Sequence, residues 1–285
     1  MAPTATLSTL HRADGSATYS DAGYTMLGAV NGPIEVQRRD ELAEEAAIEV
    51  NVRPAVGVGG TRERHLESLL HATLKDIILT HQFPRTLIQL TLQIVSVPEA
   101  SASHSRWLDP LSCLLLLPPL LQTSLLTLLS ASLPLRTTFT STIVATRPAD
   151  ENSGRPTVLK APIDLKALAK ATSLHVFAFT GDRQLLLAES EGDFDVNVWE
   201  EAAEVAEGVC CAGTTDEVGE EEDVGEGMEL DDDDDEEGGV RLDGGGLALG
   251  QAQAQAQTRD GGLSGWLKSV VQEKVRQESR WTAVQ

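Results

Sequence analysis

Apolar and polar residues alternate through two adjoining segments near the start of the chain, Ser16–Ala22 and Tyr24–Val30, and Asp21 to Gly23 lie between them. A period of two broken by a short glycine-containing step predicts a β-hairpin. Ala47–Val52 alternates again, with Ile48, Val50 and Val52 on one side, so a third strand with one buried face is expected. After the glycine-rich "GVGGT" the period changes: Leu66, Leu69, Leu70, Leu74, Ile77 and Ile78 recur at helical spacing, and Thr61 stands where an N-cap is expected. "TLIQLTLQIVSV" returns to period two, with Ile88, Leu90, Leu92 and Ile94 on one face.

The next stretch has no charge at all. From Pro110 to Leu135 leucine dominates, interrupted by Pro118-Pro119 and by scattered Ser and Thr. A membrane span needs about 20 apolar residues without such breaks, so a helix buried in a soluble protein, started or broken at the proline pair, is expected instead. Thr137–Thr146 is rich in β-branched residues and reads as a strand. "LHVFAFTGDRQLLLAES" holds two strands joined at Gly181-Asp182, and "VNVWEEAAEVAEGVC" a helix with Val198, Ala202, Val205 and Val209 toward the core. Strands and helices in mixed order predict an α+β domain, helices packed on an antiparallel or mixed sheet.

Composition changes the picture at one place. The net charge of −22 is large, yet fifteen acidic residues lie between Asp216 and Glu237 with no Lys or Arg among them. The rest is only mildly acidic, so whole-chain charge is a weak argument against RNA binding. Residues 212–262 are Gly, Asp, Glu and a "QAQAQAQ" repeat, too poor in apolar groups to offset ordering entropy, and disorder is expected there. Periodicity resumes in Leu263, Trp266, Leu267, Val270, Val271, Val275 and Trp281, a tail helix expected to dock back on the domain. The organisation read from this is a folded domain over 1–211, an acidic insert over 212–262 and a docking helix over 263–285.

Little of the chemistry is enzymatic in pattern. Cys113, Cys210 and Cys211 fit neither a disulfide framework nor a CxxC metal spacing and point to a reducing intracellular compartment. "MAPTATLSTLHRAD" has no basic stretch followed by an apolar one, so no secretory signal is expected. His65, His71, His104 and His175 have no Cys or carboxylate at ligand spacing and are expected to be satisfied or exposed side chains. "GVGG" lacks the lysine and hydroxyl of a phosphate-binding P-loop, so neither a cofactor nor a metal is expected.

Four segments nevertheless form a signature: "RADGSA", "GAVNGPIE", "GTRERHLE" and "PRTLIQLTLQIV" resemble the N-terminal half of the RNase PH family, and "SLHVFAF…ESEGDF…W" its later strands and helix. The resemblance covers about residues 8–211 plus the tail helix and implies the RNase PH-like (ribosomal protein S5 domain 2-like) fold. Within the family the chain is most similar to ring subunits of the eukaryotic RNA exosome. Active members are phosphate-dependent 3′ exoribonucleases, which need cations around the attacking phosphate and carboxylates near the leaving oxygen. Here the resemblance places Ala72 where active members carry an arginine, "PEASASHSR" with only Ser105-Arg106 where they carry a Gly-Gly-Thr/Ser-Arg loop, and residues near Pro162 and Ser173 where they pair aspartates, Asp164 standing alone.

A catalytically inert subunit is therefore expected, with an active phosphate-dependent exoribonuclease as the alternative. The implied role is to support 3′-to-5′ RNA processing and degradation, rRNA maturation included, in the nucleus, nucleolus and cytoplasm. The implied partners are RNA, other RNase PH-like exosome subunits in a heterodimer within a hexameric ring, cap subunits and attached nucleases, with no membrane. Asp14, Gly15, Asn31, Gly32 and Pro33 read as turn and close-packing positions. Arg62 and Arg64, in a glycine-rich loop opening a helix, are the candidates for RNA phosphate contact.

Overall fold

A computed structural model describes residues 3–98, 113–147, 157–159, 171–211 and 262–279. The first five strands make one mixed sheet in the order β1-β2-β3-β5-β4. They are β1 (Thr4–Leu7), β2 (Gly15–Asp21), β3 (Tyr24–Glu35), β4 (Ala47–Arg53) and β5 (Thr86–Ser96). The expected hairpin is β2–β3, in register from Gly15↔Val30 to Asp21↔Tyr24. Ala22 (φ 49°) and Gly23 (φ 88°) are both left-handed, the two-residue geometry whose twist matches paired strands. β4 runs parallel to β5, which requires a crossover, and α1 (Thr61–Ile77) supplies it. Leu66, Leu70, Leu74 and Ile77 are buried in α1. The cap differs from the expectation: Gly60 is the N-cap, Thr61 is the first helical residue, and Glu63 Oε2 accepts from Gly60 N at 2.6 Å. The alternating stretch at the extreme N-terminus that forms β1 was too short to stand out in the sequence.

The second sheet is wholly antiparallel, β7-β6-β8-β9, built from β6 (Phe139–Arg147), β7 (Thr157–Leu159), β8 (Ser173–Thr180) and β9 (Leu185–Gly192). Between the sheets lies the leucine-rich helix α2 (Leu117–Ser130), which packs against β2 and β3 on one side and β6 on the other. That placement explains its uniform apolarity, since a helix covered all round has no polar face to present. Every α2 residue except Leu129 is buried. Three of its four hydroxyls are satisfied within the helix: Thr123 Oγ1 donates to Pro119 O at 2.6 Å, Thr127 Oγ1 to Thr123 O at 2.7 Å and Ser124 Oγ to Leu121 O at 2.7 Å. Pro118 and Pro119 open the helix, where a missing N–H costs nothing. Among the described residues no helix is long and apolar enough to cross a membrane.

Two glycines let α2 lie this close. A Cβ on Gly15 would stand 2.5 Å from Ala131 N and 2.7 Å from Thr127 O, and one on Gly28 would collide with Thr127 Oγ1 and stand 3.0 Å from Thr123 Cγ2. Asp14 Oδ2 accepts from Gly32 N at 2.8 Å and ties the entry of β2 to the far end of β3. These positions shape the sheet, as the turn chemistry implied.

Helix α3 (Val196–Cys211) lies on β6 and β8, but its inward stripe is shifted from the expected one. Ala202, Ala206, Cys210 and Cys211 are buried, whereas Val198, Val205 and Val209 are only half-buried. The sheet face here carries Phe177 and Phe179, so small side chains at i, i+4 and i+8 admit the helix while the valines flank it. Helix α4 (Gly262–Glu278) returns to the domain and packs on α3, β1 and β6. Trp266, Leu267 and Val270 are buried, Trp266 edge-on to Tyr19 at 5.7 Å between centroids. Lys274 Nζ donates to Ser130 O (3.3 Å) and Oγ (3.1 Å) at the C-terminal end of α2, where a cation meets unpaired carbonyls. Val275, expected inside, is 57% exposed, because the helix has by then passed the edge of the apolar patch. Trp281, the loop of 98–110 beyond Pro98, and the acidic insert apart from Gly262 lie outside the described residues.

Candidate functional site

The β4–α1 loop ends in Gly59-Gly60 and delivers Arg62 and Arg64 on the first turn of α1. Their surroundings differ. The Arg64 side chain is 80% exposed and pairs with Glu67 Oε2 at 3.0 Å, while Glu67 Oε1 accepts from Val52 N of β4 at 2.9 Å. Arg62 is half-buried beside Tyr24 and Cys113, whose Sγ approaches Arg62 O at 3.9 Å. Burial pushes the Cys113 thiol up; Arg62 opposes that, and Glu63 and Glu191 add to it. The first turn of α1, the approach to α2 and the end of β9 therefore converge around Cys113, beside Arg62. Sequence reasoning missed Glu63, Glu67, Cys113 and Glu191 as neighbours, and only the Glu pair within the helix left a signal, at i+1 and i+3 from the arginines. Those two carboxylates match the two guanidinium charges, so the turn attracts phosphate less than its arginines alone imply. In the loop before them Val56 and Val58 are 89% and 95% exposed.

Ala72, which the resemblance sets at about the position of an arginine in active members, is exposed on α1 and offers a methyl group. Ser173 opens β8 and is fully buried. Its hydroxyl bonds that of Thr146 and lies 2.8 Å from His175 Nε2; His175 Nδ1 lies 2.9 Å from Ser190 Oγ of β9, and the ring stands edge-on to Phe194 at 4.7 Å. Burial lowers His175 from 6.5 to about 4, so it is neutral at pH 7. A serine within reach of a histidine has the outline of a nucleophile and base, but both residues are sealed and Ser173 already shares its hydroxyl with Thr146, leaving no room for a reacting atom. The chain of hydroxyls satisfies a buried imidazole. Its visible trace in the sequence is Ser-x-His, while Ser190 arrives only through the β8–β9 register. His65 and His71 are exposed on α1. Arg106, Asp164, Pro162 and His104 lie outside the described residues, and among the described residues no cluster of three or more His, Cys, Asp or Glu could hold a metal.

An α+β architecture of this order, with the Asp14–Gly32 tie and the Gly-Gly-Thr-Arg entry to α1, is that of the RNase PH fold. Residues 3–137 match the RNase PH family model, described as 3′ exoribonuclease family, domain 1.

Over 113 residues the chain is 41% identical to a Saccharomyces cerevisiae protein named exosome complex component RRP46, covering 40% of this chain and 50% of that protein. Over 86 residues it is 41% identical to exosome complex component rrp46 of Schizosaccharomyces pombe, covering 30% and 38%. The chain thus spans half or less of the curated relatives it matches. The crystal structure of rice (Oryza sativa) Rrp46 superposes with a TM-score of 0.58 at 23% identity, covering 71% of this chain and 86% of that one, so the likeness in fold extends beyond the first sheet.

Proposed function

We propose that the chain is a non-catalytic subunit of an RNA exosome core ring, supporting 3′-to-5′ RNA processing and degradation, rRNA maturation included. The observation that carries the reading is the 41% identity to exosome complex components over 113 and 86 residues. The exposed methyl of Ala72 and the sealed Ser173 support inertness, since neither can clamp a phosphate or hold a metal. In this reading the chain pairs with another RNase PH-like subunit within a hexameric ring, meets cap subunits and attached nucleases, and works in nucleus, nucleolus and cytoplasm. Arg62 and Arg64 contact RNA backbone in company with neighbouring subunits.

Affinity purification of the tagged chain, followed by mass spectrometry of stoichiometric partners, tests the assembly. Recovery of RNase PH-like and cap subunits is expected; their absence would sink it. Inertness is tested separately by incubating the purified chain with a 3′-ended RNA in phosphate and magnesium. No nucleoside diphosphate is expected. The family model's own description, 3′ exoribonuclease, keeps the enzymatic alternative definite: phosphorolysis abolished by Arg106→Ala would establish it.

A further inference from the structure

β3 ends irregularly. Its pairing with β5 runs to Asn31↔Gln89 and resumes at Ile34↔Leu87, so Gly32 and Pro33 are skipped. Pairing with β2 stops one residue earlier, at Gly15↔Val30. The Gly32 amide therefore lies beyond both ladders, and what holds it is the exposed bond to Asp14 Oδ2 at 2.8 Å. An N–H given to a carboxylate is held more firmly than one given to a neutral oxygen, yet a bond outside the ladders opens locally at less cost than unfolding the domain.

The sequence at this point carries a reaction of its own. Asn31-Gly32 is the chain's one Asn-Gly dipeptide. The backbone nitrogen after an asparagine can attack the side-chain carboxamide carbon, and a glycine puts no side chain in the way. An N–C bond forms and closes a cyclic succinimide. The carboxamide nitrogen leaves as ammonia, carrying the proton that the backbone nitrogen gives up. Water then opens the ring at either carbonyl, to aspartate or to isoaspartate. A nitrogen whose N–H is committed to Asp14 is not free to turn onto Asn31 Cγ. Water has access, because Asn31 and Gly32 are half-buried and not sealed. Nor is the glycine replaceable: a Cβ there would stand 2.9 Å from Leu87 O and 3.0 Å from Ile88 Cα, with φ at 151°.

We propose that Asn31 is a deamidation site restrained by Asp14: it keeps its amide while the Asp14–Gly32 bond is closed and converts when Gly32 is released. Conversion puts a carboxylate opposite Gln89, whose Nε2 already donates to Glu49 Oε2 at 3.0 Å on the neighbouring strand, so like charges gather on one row of the sheet. Isoaspartate also lengthens the backbone of β3 beside the register shift, where the chain is least able to absorb it.

The test incubates the full chain at neutral pH beside a synthetic peptide of sequence AVNGPIE. Mass spectrometry of the Asn31 fragment reads the change from amide to acid and separates the isoaspartyl isomer. Wild-type Asn31 should convert at least tenfold more slowly than the peptide. Asp14→Ala should speed conversion about tenfold, and Asp14→Asn less, since its carboxamide oxygen still accepts the Gly32 N–H. Trp266→Ala loosens the domain far from this bond and should leave the rate unchanged. Equal acceleration by Trp266→Ala would show that conversion goes through general loosening and overturn the role of Asp14. A wild-type rate equal to the peptide's, or an Asp14→Ala rate equal to wild type, would overturn the proposal as well. Where circular dichroism shows Asp14→Ala unfolded, Asp14→Asn carries the comparison, and a rate no faster than wild type then counts against it.

Discussion

Gly28→Ala is the most direct probe of how tightly α2 is held. The new Cβ would drive into Thr127 Oγ1, with Thr123 Cγ2 at 3.0 Å and Leu92 Cδ2 at 3.3 Å behind it. In a surface helix the clash would be relieved by a small outward step, but α2 is backed by β6 of the second sheet and cannot step away. Overpacking of a closed core costs about 1–3 kcal/mol, and this site belongs at the upper end. At roughly 2–4 °C per kcal/mol for a domain of this size, the melting temperature should fall by about 6–12 °C. The obstacle is one side-chain oxygen, so Thr127→Ala should rescue the variant, with a coupling of about 2 kcal/mol in a double-mutant cycle. Gly15→Ala meets backbone instead, Ala131 N at 2.5 Å and Thr127 O at 2.7 Å, and should not be rescued by the same change. Urea unfolding followed by tryptophan fluorescence measures all five variants, the three single and the two double changes. If Gly28→Ala lies within about 0.5 kcal/mol of wild type, or Thr127→Ala fails to rescue it, the close approach of α2 is not what selects glycine.

Acid should act through His175. Its value in the folded chain is about 4 against 6.5 unfolded, so between those values the unfolded chain binds the proton; the stability from this group is complete above pH 6.5 and falls with pH, by about 3 kcal/mol at the low end. His175→Gln should flatten that limb of the stability curve, and an NMR titration of the imidazole near pH 6.5 would refute the assignment. Trp266→Ala should unseat α4 from Tyr19 at a cost of about 3–5 kcal/mol, seen as fast exchange of α4 amides with far-UV circular dichroism otherwise retained; unchanged protection would show that Lys274 and Leu267 suffice. Charge reversal at Arg62 and Arg64 together should weaken RNA protection by the assembled ring and lower its salt dependence, the ring itself surviving. The exposed Arg64 should tolerate reversal better than Arg62, which lies against Tyr24 and Cys113.

Local pattern was enough to locate most elements. Period-two alternation and the Ala22-Gly23 turn specify β2–β3 and its register, and the same alternation marks β4 and β5, because one face of each is buried and a one-residue slip would turn it outward. Leucine spacing marks α1, and the loss of every charge marks α2 as buried on all sides. The signature around Asp14, Gly32 and Arg62 carried the resemblance to the RNase PH family, and the family model matches the stretch that holds it. What covers α2 was not legible, since two separate sheets and one large one leave the same strand pattern in the sequence. The face of α3 was also decided by its partner: aromatic side chains on β8 select alanine and cysteine at the contact over the more hydrophobic valines. His175 could be read as satisfied, but its partner Ser190 is fifteen residues away and is set by strand pairing alone. For Arg62 and Arg64 the sequence supplied position, charge and the i,i+3 spacing of Glu67 from Arg64, while burial of Arg62 against Tyr24 and the tie of Glu67 to Val52 N came from packing between β3, β4 and α1. Such contacts depend on which distant residues share a surface, and no local period encodes that.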